Sequence, residues 1–192
     1  MSCIVGLVDK KNVYVGCDSF GSTVNCQVQR IDQKIFRVMG KTDAVIGFAG
    51  SFRMGQILQY TKGLLDVNAQ CTHKYMVTKF IPRVIEIFDK SGFIKRDDEG
   101  TVTGDTFLLA YRTKLFQIDN DFQVAESLCG YDAIGSGYEY ALGSLSSTEN
   151  LKVPPVQRVY LALKAASKFG VGIGAPFHVL CTSTDKEIIF ES

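Results

Sequence analysis

The sequence predicts an α+β fold in which two antiparallel sheets pack together with helix pairs on the outside. Two observations predict it. Strand-like and helix-like segments arrive in pairs instead of alternating singly, which argues against a doubly wound parallel sheet. The chain is also rich enough in apolar residues, 46% against 21% charged, to bury a sizeable core over its 192 residues. That length suits one domain spanning 1–192.

The elements follow in order. Ser2–Val8 and Val13–Cys17 are β-rich runs around the turn Asp9-Lys-Lys-Asn12. Lys34–Met39 and Ala44–Ala49 flank Gly40-Lys-Thr-Asp43 as a second hairpin. Met54, Ile57, Leu58, Leu64 and Leu65 have near-helical spacing over about Ser51–Asp66. Met76, Phe80, Ile81, Val84, Ile85 and Phe88 mark a clearer amphipathic helix, which Pro82 is expected to kink. The polar stretch Lys95–Gly104, with Asp97, Asp98 and Glu99, reads as a solvated loop. Thr106–Tyr111 and Lys114–Ile118 form a third hairpin. Asp132–Gly135 ends a strand and leads into a helix over Tyr138–Ser146. Pro155–Phe169 is a helix with proline in its first turn. Phe177–Thr182 and Glu187–Phe190 close the chain as strands.

Several functions find no support in the composition. Lys+Arg is 21 and Asp+Glu 20, a net charge of +1, so neither a nucleic acid nor an anionic membrane is an expected partner. No apolar run approaches the ~18 residues of a membrane span, and the first residues do not form a secretory signal. Cys3, Cys17, Cys26, Cys71, Cys129 and Cys181 include no C-x-x-C pair. They read mostly as small buried hydrophobes in a reducing, cytoplasmic compartment. Gly170-Val-Gly172-Ile-Gly174 has the wrong spacing and the wrong strand–helix order for a dinucleotide site and reads as a tight loop. The two histidines, His73 and His178, lie in no catalytic or metal-binding signature. No metal and no cofactor is expected.

The first fifty residues carry the chemistry. A first turn centred on Lys10-Lys11 sets Cys3 opposite Asp18, ~5 Å apart at Cβ. A second turn centred on Lys41-Thr42 sets Lys34 opposite Ala49, beside Gly50. If the two hairpins are neighbours in one sheet, Ser2, Asp18, Lys34 and Gly50 converge. A hydroxyl needs a base to become a nucleophile. A free α-amine, with an ordinary pKa of ~7.7–8.0, is such a base. Met1 alone stands before Ser2 in this sequence, and the small side chain at position 2 permits its removal, leaving hydroxyl and base in one residue. Lys34 would keep that amine neutral by like-charge repulsion, Asp18 would orient Lys34, and a backbone N–H at Gly50, with Gly47 as a weaker candidate, would receive the developing oxyanion.

These residues resemble the proteasome β-type subunits, including the peptidase subunit of the bacterial ATP-dependent protease and the small proteasome-like proteins of bacteria and phages. The family opens with Thr-Thr-Ile-Val-Gly-like residues, and here Ser2-Cys-Ile-Val-Gly6 takes that place. Its Gly-Asp/Ala-Asp-Ser pattern is matched by Gly16-Cys-Asp18-Ser19, and its lysine by Lys34-Ile-Phe. Asp18 and Lys34 follow Ser2 by 16 and 32 residues, the family's spacing. Gly47-Phe-Ala-Gly50 matches a turn into a helix, and Ala133-Ile-Gly-Ser136-Gly137 matches the stretch whose serine lies near the nucleophile's amine. The similarity runs from about Ser2 to Glu191.

The resemblance implies an N-terminal nucleophile hydrolase fold, a four-layer αββα sandwich, and assembly into a homo-oligomeric ring. It implies a peptide or unfolded-protein substrate and an ATP-dependent unfoldase as a partner. The catalytic set it implies is Ser2, Asp18, Lys34, Ser136 and Gly50. Serine replaces the family's threonine, and the family's later Asp has no counterpart in Ser167-Lys-Phe-Gly-Val-Gly-Ile-Gly174. Cys3 is an alternative nucleophile that requires removal of two residues. A ring-forming scaffold without catalysis and a non-proteolytic amidase are the other functional readings.

Overall fold

The computed structural model describes residues 1–22, 26–66, 68–96 and 102–192. Asp97, Asp98 and Glu99, read above as a solvated loop, lie outside the described residues.

β1 (Ile4–Asp9) and β2 (Asn12–Cys17) form a hairpin in the expected register, with Ile4 opposite Cys17 and Asp9 opposite Asn12. Its tight two-residue turn needs a positive φ, which Lys10 adopts at 56°. β3 (Phe20–Ser22) and β4 (Gln27–Gln29) pair as a small separate ribbon that sequence periodicity did not reveal; three-residue strands are too short to show one. β5 (Ile35–Arg37) and β6 (Ala44–Phe48) form the second hairpin. Its register is one residue away from the predicted one. Ile35 faces Gly47, and the Phe48 N–H donates to the Lys34 carbonyl at 3.0 Å, so Lys34 lies opposite Phe48 and not Ala49. The turn between the strands causes the shift. Val38 N–H bonds to Ala44 C=O, which closes an odd-numbered loop of five residues around Gly40 at φ +77°.

Helix α1 (Phe52–Tyr60) is capped by Ser51, whose hydroxyl accepts the Arg53 N–H at 3.1 Å. It is shorter than the spacing suggested. Thr61 takes extended dihedrals and Gly63 a φ of +67°, so Leu64 and Leu65 are buried from a turn. α2 (His73–Tyr75), a π-helical turn (Met76–Phe80) and α3 (Ile81–Lys90) run on as one helical segment. The π turn answers Pro82. Proline has no N–H for the Thr78 carbonyl and its ring would strike that carbonyl, so the preceding bond widens to Ile81 N–H→Met76 C=O.

β7 (Lys95–Arg96) pairs with β8 (Val102–Thr103), so the ends of the predicted loop are a short ribbon. β9 (Phe107–Tyr111), β10 (Lys114–Ile118), β11 (Val124–Ala125) and β12 (Tyr131–Ile134) lead to α4 (Tyr138–Ser147) and α5 (Pro155–Phe169). β13 (Phe177–Cys181) and β14 (Thr184–Phe190) follow.

Two five-stranded antiparallel sheets result, in the orders β12-β1-β2-β13-β14 and β11-β10-β9-β6-β5. The two N-terminal hairpins therefore lie in different sheets, not side by side in one. Three apolar clusters explain the arrangement. Ile4, Val13, Val15 and Cys17 of the first sheet pack with Ile35, Val45, Leu108 and Ala110 of the second. The alternate residues Phe36, Phe48, Phe107 and Leu109 pack with Met54 and Leu58 of α1 and Val84 and Phe88 of α3. Val5, Leu7 and Val179 pack with Leu145 of α4 and Val159 and Leu163 of α5. Successive residues of a strand point to opposite faces, so both faces of each sheet are apolar and both are covered. Among the described residues no helix is long and apolar enough to cross a membrane.

Candidate active site

Asp18 follows the last residue of β2 and extends the hairpin register, opposite Cys3. Its carboxylate is fully buried and saturated. Oδ1 accepts the Cys3 N–H at 2.9 Å and Lys34 Nζ at 2.7 Å, and Oδ2 accepts the Phe20 N–H at 3.1 Å. Lys34, just before β5, is 1% exposed. A buried ion pair of this kind pays a large desolvation cost and persists when geometry and extra hydrogen bonds compensate, as three donors do here. Lys34 Nζ also lies 3.5 Å from the Met1 carbonyl oxygen.

Ser2 sits above this pair. Its Oγ donates to the Met1 carbonyl at 2.7 Å and its backbone N–H donates to Ser136 Oγ at 3.3 Å. The Ser136 hydroxyl proton returns to the Ser2 carbonyl at 3.4 Å, which also accepts the Gly137 N–H at 3.2 Å. Gly135, at φ +88°, is required by this contact, because a β-carbon there would stand 2.4 Å from the Ser2 carbonyl oxygen. Ser2, Ser22, Ala49, Gly50, Gly135 and Ser136 line a cavity of about 190 Å³ together with Met1 and Phe52. The Met1 amine donates to Ser22 Oγ. Burial, then the Lys34 charge, holds that amine below its ordinary value.

Of the predicted residues, Ser2, Asp18, Lys34, Ser136 and Gly50 are thus brought to one place. They converge across the gap between two sheets, since the hairpins face each other instead of lying edge to edge. Gly47 is not among the cavity's residues. It sits in mid-strand, where a β-carbon would stand 2.5 Å from Ile4 Cγ2. The loop at 170–174 runs along the rim, with Gly172 (φ +69°) against Ser22 and Met1. No Asp or Glu lines the cavity among the described residues. His73 bonds the Val124 carbonyl, and His178 Nδ1 lies 2.7 Å from Glu187 Oε1, both outside this cavity. A larger cavity, about 640 Å³, opens near Gln33, Arg37 and Glu187 and contains none of the five residues.

Cys3 packs into the cluster beneath α4 and α5, fully buried, and burial next to the Asp18 charge pushes its thiol far up. The same two causes push Cys17 up to about 12. Thiolate is the reactive form, so Cys3 is unsuited to the nucleophile's role here. Cys3, Cys17 and Cys181 are buried, but Cys26 and Cys129 are exposed and Cys71 half-buried, fewer buried than expected. Alkylation of the folded protein at pH 8 is expected to modify Cys129 while sparing Cys3 and Cys17, as peptide mapping would show. Early labelling of Cys3 would contradict its placement.

Two residues escaped the sequence. Ser22 lies in the short ribbon and belongs to no motif. Asp105, just before β9, accepts the Ser51 N–H at 2.8 Å and packs against Gly50. Only their position in space marks either one.

No protein-family model and no curated protein matches the sequence. Solved structures do match. Thiobacillus denitrificans BPH in complex with Epoxomicin superposes with a TM-score of 0.79 at 17% identity, over 93% of this chain and 97% of that one. The eukaryotic HslV from Trypanosoma brucei gives 0.69 at 15%, over 93% and 98%. Anbu, the ancestral beta-subunit, from Yersinia bercovieri gives 0.71 at 14%, over 98% and 87%. The fold is that of the proteasome β-type proteins, as the sequence motifs implied.

Proposed function

We propose that this chain is a proteasome-like N-terminal nucleophile hydrolase that cleaves peptide or amide bonds with Ser2 once Met1 is removed. The observation that carries the reading is the buried Lys34–Asp18 pair, 2.7 Å long, directly beneath the residue 1–2 junction. The three apolar clusters support the finer reading of the fold as a four-layer αββα sandwich.

The placement of these residues supports the following steps. The uncharged Ser2 amine takes the Oγ proton, and Oγ attacks the substrate carbonyl. Lys34 holds the amine neutral by repulsion, and Asp18 holds Lys34. The Gly50 N–H receives the tetrahedral oxyanion. The α-ammonium returns its proton to the departing amine, leaving an ester on Ser2. Water, deprotonated by the same amine, cleaves the ester and restores the enzyme. Ser136 holds the amine or the incoming water. A homo-oligomeric ring, polypeptide substrates and an ATP-driven unfoldase belong to the same reading and rest on the resemblance; native mass tests the ring.

A second reading, a scaffold without turnover, is favoured by the contacts of Met1 itself. Its amine is held by Ser22 and its carbonyl by Ser2 Oγ and Lys34, an arrangement that blocks the base. Intact mass and hydrolysis of peptide amides by the purified protein separate the two. Loss of one methionine, with turnover absent from Ser2→Ala at unchanged stability, is the enzyme's outcome. Retained Met1 with no turnover is the scaffold's. In the active form the base must be neutral, and the burial and Lys34 charge that lower the Met1 amine are expected to act on the Ser2 amine in the same direction. Activity is therefore expected to rise with pH through a midpoint below the ordinary ~8 and to fall away on acidification.

A further inference from the structure

We infer that Asp105 is a positioning residue for the oxyanion site, an inference that rests on the hydrolase reading above. The turn Ala49–Ser51 joins β6 to α1, and the segment just before β9 ties it down on both sides. The Ala49 N–H donates to the Thr106 carbonyl at 3.1 Å, and the Ser51 N–H donates to Asp105 Oδ2 at 2.8 Å. Between them the Gly50 N–H donates no hydrogen bond among the described residues, and Gly50 lines the cavity that holds Ser2.

The carboxyl group also fills the space behind Gly50. A β-carbon at Gly50 would stand 2.8 Å from Asp105 Cγ, and Gly50 holds φ +107°, where only glycine is at ease. Asp105 thus does two things at once. It occupies the donor next to Gly50, and it backs the peptide so that the turn cannot relax away from the cavity. An oxyanion donor acts by being fixed in place before the charge develops, so its support decides its worth. Nothing in the carboxylate's own charge is needed, because the contact is an acceptor for a backbone N–H.

The test uses the Met1-free chain and compares Asp105→Asn with Asp105→Ala. Asparagine keeps an acceptor oxygen at the same reach. Asp105→Ala is expected to lower kcat on the order of 10²-fold with little change in KM, and Asp105→Asn to stay near wild type. A peptide aldehyde, whose adduct with Ser2 carries the oxyanion, should lose affinity for Asp105→Ala in proportion, while the matching peptide alcohol binds as before. Asp105→Ser, too short to reach Ser51, gives the same split if the alanine variant does not fold. Wild-type kcat in Asp105→Ala, an asparagine variant as impaired as the alanine one, or equal weakening of aldehyde and alcohol overturns the inference. A Met1-free wild type without turnover instead removes the hydrolase reading itself, and this inference with it.

Discussion

Replacing Lys34 with alanine is expected to lower stability by about 3–5 kcal/mol and to abolish Ser2-dependent turnover. The carboxylate of Asp18 is 0% exposed and keeps only the N–H groups of Cys3 and Phe20 once its cation is gone. A buried charge left unpaired costs more than the pair itself is worth, which is why one-sided removal is severe. The double variant Lys34→Ala with Asp18→Asn removes the stranded charge. It should regain only part of the lost stability and none of the activity, because the asparagine NH2 cannot accept the second of the Cys3 and Phe20 N–H groups. Urea midpoints at constant slope measure the first quantity and peptide hydrolysis the second. A Lys34→Ala protein as stable as wild type would show that Asp18 is not the buried anion described above, and the mechanism would lose its foundation.

Gly135→Ala is the second large effect. The new methyl would lie 2.4 Å from the carbonyl oxygen of Ser2 and 2.9 Å from its carbon, backbone atoms pinned by Ser136 and Gly137. Left-handed strain and overpacking together give an expected cost of about 2–5 kcal/mol. Gly130→Ala separates the two causes. Gly130 is also left-handed, at φ +73°, but its nearest neighbour to a new methyl is 3.8 Å away, so strain alone acts there. Calorimetric melting should rank Gly135→Ala well below Gly130→Ala, and only the former should displace Ser2 and lose turnover. Equal melting temperatures would remove the close approach at Ser2 as a constraint.

How much of this was legible in the residues varies with the range of the interaction. The first hairpin's register was readable because its two-residue turn leaves one way to pair the flanking strands, and Cys3 does face Asp18. The second was misread by one residue because its five-residue turn, bent at Gly40, has no such unique solution. Pro82 announced a disturbance in its helix, but whether a kink or a π turn relieves it depends on what packs around it. The shortened α1 was hidden for a related reason. Leu64 and Leu65 are buried, as their spacing suggested, though from a turn. The convergence of Ser2, Asp18, Lys34 and Gly50 was foreseen, but through the wrong route.

What the sequence determined by itself is the set of candidate residues and their spacing. A serine follows Met1, an aspartate follows the second strand, a lysine precedes the fifth, and paired strands with apolar residues on both faces require cover on both sides. Hydrogen bonds between chain neighbours and side-chain alternation are local, so they can be read from adjacent residues. The tertiary structure decided that the two hairpins stack face to face, which alone brings Lys34 beneath Ser2. It also decided that Ser22 reaches the Met1 amine and that Asp105 backs Gly50. Contacts across stacked sheets depend on how whole apolar faces settle against each other, and no short stretch of residues carries that information.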